Sequence, residues 1–518
     1  MPPSRHPPGA RVEPARSRRR ATPLSVVAAA IAVLTLGGCA LTPPGPAPAP
    51  DAPAAWVAAL PSGAPAPSGT AAAPATAARA AQLSDWWSQF DDPLLPQLVN
   101  ATQRNNGNVA QATARIEQAR ANARIAGSSA WPSLDARGSA TRARTEVPPP
   151  SIIGTTAGIG LDTLWEIDVF GVTRNNVAAA RARVDGATAD WHDLRVSLAA
   201  ETAAGYVDLR ACESLVDVYA QDAASQKRTA ELTGVKANAG LESPANASLA
   251  AASAADASNR LVAQRADCDG LVKSLTALTG LAEPALRAQL DARRARLPQP
   301  AAFAVEQVPA QLLMQRPDLT ALAREVLAAS GEVGAAQADR WPRLSLAGTI
   351  SLARLSAGGV TERGTNWSIG PALSLPLFDA GRRAAQVDAA RARYDEALAR
   401  YTQRARDAVA EVETALVRLD AATRREADAQ TAADGFRRFF DAAQARFDVG
   451  AESLLDLESA RRNALLAAAA LVGVQRERVA AWITLYRAVG GGFTPADIDS
   501  PPRLATTDAA PASPSTIR

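Results

Sequence analysis

Side chains able to do covalent chemistry are scarce in this chain, and their positions limit what that chemistry can be. Its 518 residues include three cysteines, Cys39, Cys212 and Cys268, and two histidines, of which His192 alone lies beyond the extreme N-terminus. A lone imidazole in an Ala-rich stretch makes neither a nucleophile–base pair nor a metal cluster, so His192 reads as a surface or core residue. No glycine-rich phosphate loop, Cys-x-x-Cys pair or nucleophile elbow occurs. Met314 is the single methionine after Met1, which leaves a soft metal without a ligand set. The sequence therefore argues against an enzyme, a metal site or a cofactor. What remains are thiols that can be acylated or paired.

Cys39 has the setting for acylation. Arg18, Arg19 and Arg20 precede an apolar run from Leu24 to Leu36, too short to span a bilayer and laid out like a signal peptide. Residues 1–38 read as that signal. The tetrad Leu36-Gly37-Gly38-Cys39 resembles a bacterial lipobox, which implies cleavage before Cys39 and N-acyl and S-diacylglycerol groups on it. Ala40 in place of Asp implies sorting to the outer membrane. The other reading is an ordinary secretory signal with an incidental Cys39. Removing the signal's six Arg and one Glu leaves 49 basic against 51 acidic side chains. The basic balance of the whole chain thus belongs to the signal, and nucleic acid is not an implied partner.

Cys212 and Cys268 each stand 28 residues from Gly240. If the chain reverses there, they face each other on antiparallel partners, and an exported chain meets an oxidising compartment. A Cys212–Cys268 disulfide is expected, with two separate buried thiols as the alternative.

The elements that carry these residues are built twice. Shifted by 210 positions, Trp131-Pro132 meets Trp341-Pro342, Gly138 meets Gly348, Gly171 meets Gly381 and Glu201 meets Glu411. Gly240-Leu241-Glu242-Ser243 meets Gly450-Ala451-Glu452-Ser453, with no gap. An ungapped tandem repeat means one supersecondary unit made twice. Residues 39–82 read as an Ala/Pro-rich flexible tether. The first repeat spans 83–280, a connector 281–308, the second repeat 309–491, and a disordered tail 492–518.

Each repeat reads as helix, strand, loop, strand, very long helix, turn, helix. Leu344, Leu346, Gly348, Ile350 and Leu352 alternate with Ser345, Ala347, Thr349 and Ser351. Trp367, Ile369, Pro371, Leu373, Leu375 and Leu377 share a face, and Ile159, Leu161, Trp165, Ile167 and Val169 oppose Gly160, Asp162, Glu166 and Asp168. Strands of about ten residues suit a tilted membrane barrel, although the alternation fits a half-buried soluble sheet as well. Trp131 and Trp341 would mark the membrane interface. The loops Glu146–Thr156 and Ser356–Thr365 would cap the outer side. Four strands cannot close a barrel, so several chains are implied. From Arg382 to Val449 apolar positions advance by threes and fours, giving a rod of roughly 100 Å. Gly171–Ala239 matches it. Gly240 and Gly450 would turn the rods at their far ends.

Six stretches give this pattern a family. They are Asp85–Phe90, Trp165–Gly171, Arg316–Leu319, Leu377–Gly381, Arg446–Gly450 and Leu485–Gly492, and together they resemble the TolC/OprM-like outer-membrane efflux proteins, in their NodT-type lipoprotein branch. The resemblance implies a mostly α fold with a membrane β-barrel, in which a homotrimer shares a twelve-stranded barrel and an α-helical tunnel. It implies a passive conduit for drugs or other small molecules, partnered by a periplasmic membrane-fusion (adaptor) protein, an inner-membrane RND-type pump and outer-membrane lipid.

Carried over by position, a periplasmic gate falls on Leu455, Asp456, Ser459 and Arg462. Leu455 would be the apolar constriction, Asp456 the acidic ring and Arg462 a basic position behind it. Phe447, Glu452 and Asn246, beside the turns at Gly450 and Gly240, fall where neighbouring hairpins are held together. Phe447 lacks the hydroxyl of a common tyrosine, and Ser459 stands where Asp is frequent. Glu458 would face about 100° away on a helix. The turn segments Val235–Pro244 and Arg446–Leu455 would meet the adaptor. Two alternatives stand beside this reading: a coiled-coil surface lipoprotein, and the same tunnel serving type I protein secretion.

Overall fold

The computed structural model describes residues 43–49, 56–58, 86–146, 151–299 and 316–499. The signal, Cys39 and the chain after residue 499 lie outside them. After a short 3-10 helix, Trp86–Gln89, come α1 (Leu94–Asn105) and α2 (Gly107–Ser128), then β1 (Ser133–Thr145) and β2 (Ile152–Ile167). The first hairpin is α3 (Val172–Asn238) and α4 (Pro244–Thr279), with α5 (Glu283–Asp291) behind it. The second copy is α6 (Pro317–Ala338), β3 (Arg343–Ala357), β4 (Val360–Ser374), α7 (Arg382–Asp448) and α8 (Leu454–Ala488).

The two rods, α3 and α7, have 67 residues each, or about 100 Å at 1.5 Å per residue. Their starts are set by carboxylates. Asp168 accepts from the N–H groups of Gly171, Thr173 and Arg174, and Asp379 from those of Gly381 and Arg383. The glycine at each start is left-handed, φ 92° and 84°, a conformation L-residues avoid. The capping Asp lies three residues before Gly171 but two before Gly381, a one-place divergence inside the otherwise ungapped repeat.

The four strands form one antiparallel sheet in the order β1-β2-β3-β4. Opposed rows such as Leu161–Ile350–Trp367 and Ile159–Leu352–Thr365 put apolar groups on one face, while Asp162–Thr349–Ser368 lies on the other. The strands run 13 to 16 residues, longer than the ten expected from membrane thickness. Between β3 and β4 pairing continues beyond the apolar rows because the turn is tight. Gly358 and Gly359, at φ 57° and 84°, join β3 to β4 directly, as a hairpin turn with two left-handed positions requires. The expected loop Ser356–Thr365 is therefore mostly strand, and Ile152–Thr156 of the expected loop Glu146–Thr156 already belongs to β2.

The main core lies halfway along the rods, a belt where Trp86, Trp87 and Phe90 pack with Tyr206, Leu275, Leu416, Leu419 and Trp482. Trp87 and Tyr486 rings stand 4.6 Å apart. Cys212 on α3 and Cys268 on α4 are joined in this belt by a disulfide, Cα–Cα 5.7 Å.

Two segments read as unstructured are packed. Gly45 C=O accepts from the Tyr394 hydroxyl (3.1 Å), and Glu413 accepts from the N–H groups of Val57 and Ala58 (2.8 Å each). A two-pronged carboxylate thus pins the N-terminal segment along α7. At the other end, Phe493 is buried against His192, ring centroids 5.0 Å apart, and Pro495–Asp499 forms a 3-10 helix. Both segments owe their order to partners hundreds of residues away, which local composition does not register.

Candidate conduit and gate

The hairpin tips are built alike. Leu241 N–H donates to Lys236 C=O and Ala451 N–H to Arg446 C=O, both 2.8 Å, with Gly240 and Gly450 left-handed at φ 72° and 79°. These are helix endings that use glycine to satisfy the last carbonyls. The returning helices start on matched serines: Ser243 caps Asn246 N–H and Ser453 caps Asp456 N–H, 3.1 Å each. The side chains then diverge. Asn246 donates to Glu242 (2.8 Å), whereas Glu452 takes Arg446 Nε (2.5 Å) and Asp456 takes the Ser453 hydroxyl (2.6 Å). The N–H of Ser243 and the Asn246 amide hold the Glu242 carboxyl below its ordinary pKa.

Leu455, Asp456, Ser459 and Arg462 all lie on the exposed side of α8. Leu455 is 72% exposed, and the spacing Leu455, Ser459, Arg462, Leu466 makes one helical stripe. The opposite side, Leu454, Leu457 and Ala460, is buried with Phe447, Ala443 and Ala250. Phe447 is only 3% exposed, and the Lys236 ammonium lies 4.9 Å from its ring centroid. It joins the two hairpins of one chain through a cation–π contact rather than a hydroxyl. Glu458 is turned away from the exposed stripe and accepts from Gln226 (2.8 Å).

Above the tips lies a polar layer that sequence reasoning missed. Arg461, one residue from Arg462, is 3% exposed and reaches across from α8 to Thr229 of α3 (2.8 Å) and Gln444 of α7 (3.3 Å). Burial pushes its pKa below the ordinary value, against the pull of Glu458 and Asp222. Arg260 pairs with Asp222 at 3.1 Å beside it. Seven buried atoms of this layer, on Asp222, Gln226, Thr233, Arg260, Glu458 and Arg461, find no hydrogen-bond partner among the described residues. A helix phase one residue different would have exposed Arg461, so no sequence signal marks it.

The belt holds the opposite arrangement. Arg316, 3% exposed, donates to Asp318 (3.0 and 2.9 Å) and to Ala488 C=O (2.7 Å), and lies 2.8 Å from Glu411. Arg404 closes the square on Asp318 (2.7 Å) and Glu411 (2.6 Å). Burial pushes Asp318 up, but the Arg316 and Arg404 guanidiniums outweigh it and hold the carboxyl below its ordinary pKa. Gly490, at φ 90°, lets its backbone approach Arg316: a Cβ there would lie 3.1 Å from Arg316 Cα. Two of the family stretches therefore meet at one clamp.

On the sheet, the polar face carries an Arg137–Asp162 ion pair and the other face carries exposed Leu161, Ile350, Trp367 and Ile369. Trp131 is 76% exposed where β1 begins, while Trp341 stacks on Phe170 with ring centroids 5.4 Å apart. Among the described residues no helix is long and apolar enough to cross a membrane and no metal-binding cluster occurs.

An open four-stranded sheet with one apolar and one polar face, set on rods of 67 residues, defines one segment of a membrane barrel continued into a helical tunnel. The profile of the family described as Outer membrane efflux protein matches residues 98–281 and 308–491, one match per repeat. The chain belongs to that family and is an outer-membrane efflux channel protein. It is similar to nodulation protein T of Rhizobium leguminosarum bv. trifolii, 28% identical over 79% of this chain and 88% of that protein. The solvent efflux pump outer membrane protein SrpC of Pseudomonas putida is 28% identical over 89% of this chain and 97% of its own. The solved outer-membrane channel OprN superposes with a TM-score of 0.74 at 27% identity, covering 86% of this chain and 98% of that one.

Proposed function

We propose that three copies of this chain close a twelve-stranded barrel and a tunnel that passively exports small molecules from a tripartite pump, without enzymatic activity. The open sheet carries the proposal. Among the described residues its β1 and β4 edges are unpaired, one face is apolar, and the barrel can close only by pairing β4 of one copy with β1 of the next. The Arg137–Asp162 face then lines the lumen. Relatives named for toluene, solvent and antibiotic efflux point to drugs and other apolar small molecules as cargo.

In this reading Leu455, Asp456, Ser459 and Arg462 line the periplasmic constriction, with Leu455 narrowing it and Asp456 setting its charge. The tips expose Val235, Leu241, Val449 and Leu455, each at least two-thirds exposed. That apolar surface suits the helical hairpins of a periplasmic adaptor, which links the tunnel to an inner-membrane RND-type pump. Cys39 carries the acyl anchor. Pro44 C=O, five residues after it, accepts from Ser330 in α6.

Native mass spectrometry in detergent, followed by single-channel recording in planar bilayers, tests this. A trimer that conducts is expected. A monomeric or non-conducting protein would instead favour a coiled-coil surface lipoprotein.

A further inference from the structure

The apolar face of the sheet ends in arginines, and only at one end. Five rows of directly opposed residues, from Ile167–Leu344–Leu373 to Gly138–Ile159–Leu352–Thr365, carry its apolar side chains. At about 3.4 Å per residue and a tilt of about 40° they rise roughly 21 Å, close to the height of a membrane barrel's apolar band. The next row is Ala140–Ala157–Arg354–Arg363, and the one after it is Arg142–Thr155–Ser356–Thr361. These rows lie at the hairpin-turn end, away from the helices. The helix end of the same face carries Leu344 and Leu373 and no arginine.

Arg354 and Arg363 are direct cross-strand partners. Like charges so opposed destabilise an antiparallel pair. Among the described residues no carboxylate on that face answers them. Glu362 belongs to the other face by alternation, and Glu146 is taken by Arg144 at 3.1 Å. Arg142, Arg354 and Arg363 are all exposed and make no ion pair among the described residues. Hydroxyls surround them: Ser356 and Thr361 stand 3.1 Å apart, oxygen to oxygen, with Thr155 in the same row. A local rule broken without compensation inside the chain marks a place where something outside supplies the compensation.

We propose that Arg142, Arg354 and Arg363 bind the phosphate groups of the phosphorylated glycolipid in the outer leaflet of the outer membrane. The arginines begin where the apolar band stops, which is the depth of the headgroups. Guanidinium forks match phosphate oxygens in a bidentate way, and the neighbouring hydroxyls suit sugar and phosphate oxygens. The restriction of this charge to the hairpin end selects the outer leaflet over the inner.

The test uses the full-length acylated protein purified in a neutral detergent. Binding of bisphosphorylated lipid A, the same lipid stripped of its phosphates, and phosphatidylglycerol is followed by native mass spectrometry over increasing salt. Bisphosphorylated lipid A is expected to bind at least about tenfold more tightly to the wild type than to an Arg142→Gln/Arg354→Gln/Arg363→Gln variant, and more weakly as salt screens the contact. Arg354→Lys/Arg363→Lys should keep most of the binding. Equal binding by the Gln variant, by the dephosphorylated lipid or by phosphatidylglycerol would overturn the proposal. In lipid-free detergent the Gln variant should melt no lower than the wild type, because it loses a repulsive pair. A lower melting temperature there would mean that the arginines hold the sheet themselves, and would overturn it too.

Discussion

Arg316 in the belt and Arg461 near the tips are both buried arginines that bridge a rod to its neighbours, yet they are served very differently. Every nitrogen of Arg316 meets a carboxylate or a carbonyl. Arg461 meets a hydroxyl and an amide oxygen, with Glu458 at 3.5 Å, and two of its nitrogens find no hydrogen-bond partner among the described residues. A fully satisfied polar network in low dielectric is rigid, while a half-satisfied one costs desolvation without full return. The same rods are therefore locked halfway along their length and weakly joined near their free ends. If the proposed gate lies at the tips, a tunnel that opens there without losing its assembly needs that distribution.

The comparison breaks most visibly at the clamp. Arg316→Ala leaves the half-buried Asp318 and Glu411 to share Arg404 alone, and thermal unfolding should show a loss of about 3–5 kcal/mol with failure to assemble. The disulfide is the belt's second lock. Cys212→Ala/Cys268→Ala, or reductant on the wild type, should cost about 2–4 kcal/mol for a loop of this size. Calorimetry with and without reductant checks this. Arg461→Met should lie within about 1 kcal/mol of the wild type or above it, because an apolar side chain replaces a poorly paired charge. A loss as large as that of Arg316→Ala would erase the distinction between the two sites.

The smallest effect concerns an uncompensated group inside the belt. Burial, reinforced by Asp318, lifts the Asp193 carboxyl to about 6, against the pull of Arg316, Arg487 and Arg404. An unfolded Asp titrates near 3.9. The native state thus holds the extra proton between about pH 4 and 6, and this group's contribution to stability falls as pH rises through that window. Asp193→Asn should remove that slope and gain about 1 kcal/mol at pH 7.5, discounted for partial solvation, with no gain below pH 4. Melting curves across pH would show it.

Much of this architecture was legible in the sequence because it rests on period and punctuation. The rod expected from Arg382 to Val449 is the helix Arg382–Asp448, since Gly381 and Gly450 bound an uninterrupted apolar stripe. The sheet faces follow strict alternation. Where sequence reasoning fell short, the cause was a long-range contact or a helix phase. Glu413 orders Val57 and Ala58 from 355 and more residues away, and His192 packs with Phe493. Arg461 is buried where Arg462 is exposed, a difference of one position on α8. The tight β3–β4 turn was within reach, because Gly358-Gly359 is a hairpin signal, but the length expected from membrane thickness hid it.

The most direct test is the single-channel conductance of Leu455→Ala in planar bilayers, beside the wild type and Arg461→Met. If the exposed stripe of α8 closes the tunnel, Leu455→Ala conducts several-fold more than the wild type, while Arg461→Met stays as closed as the wild type or more so. Wild-type conductance from Leu455→Ala would contradict the account and place the constriction elsewhere along the rods.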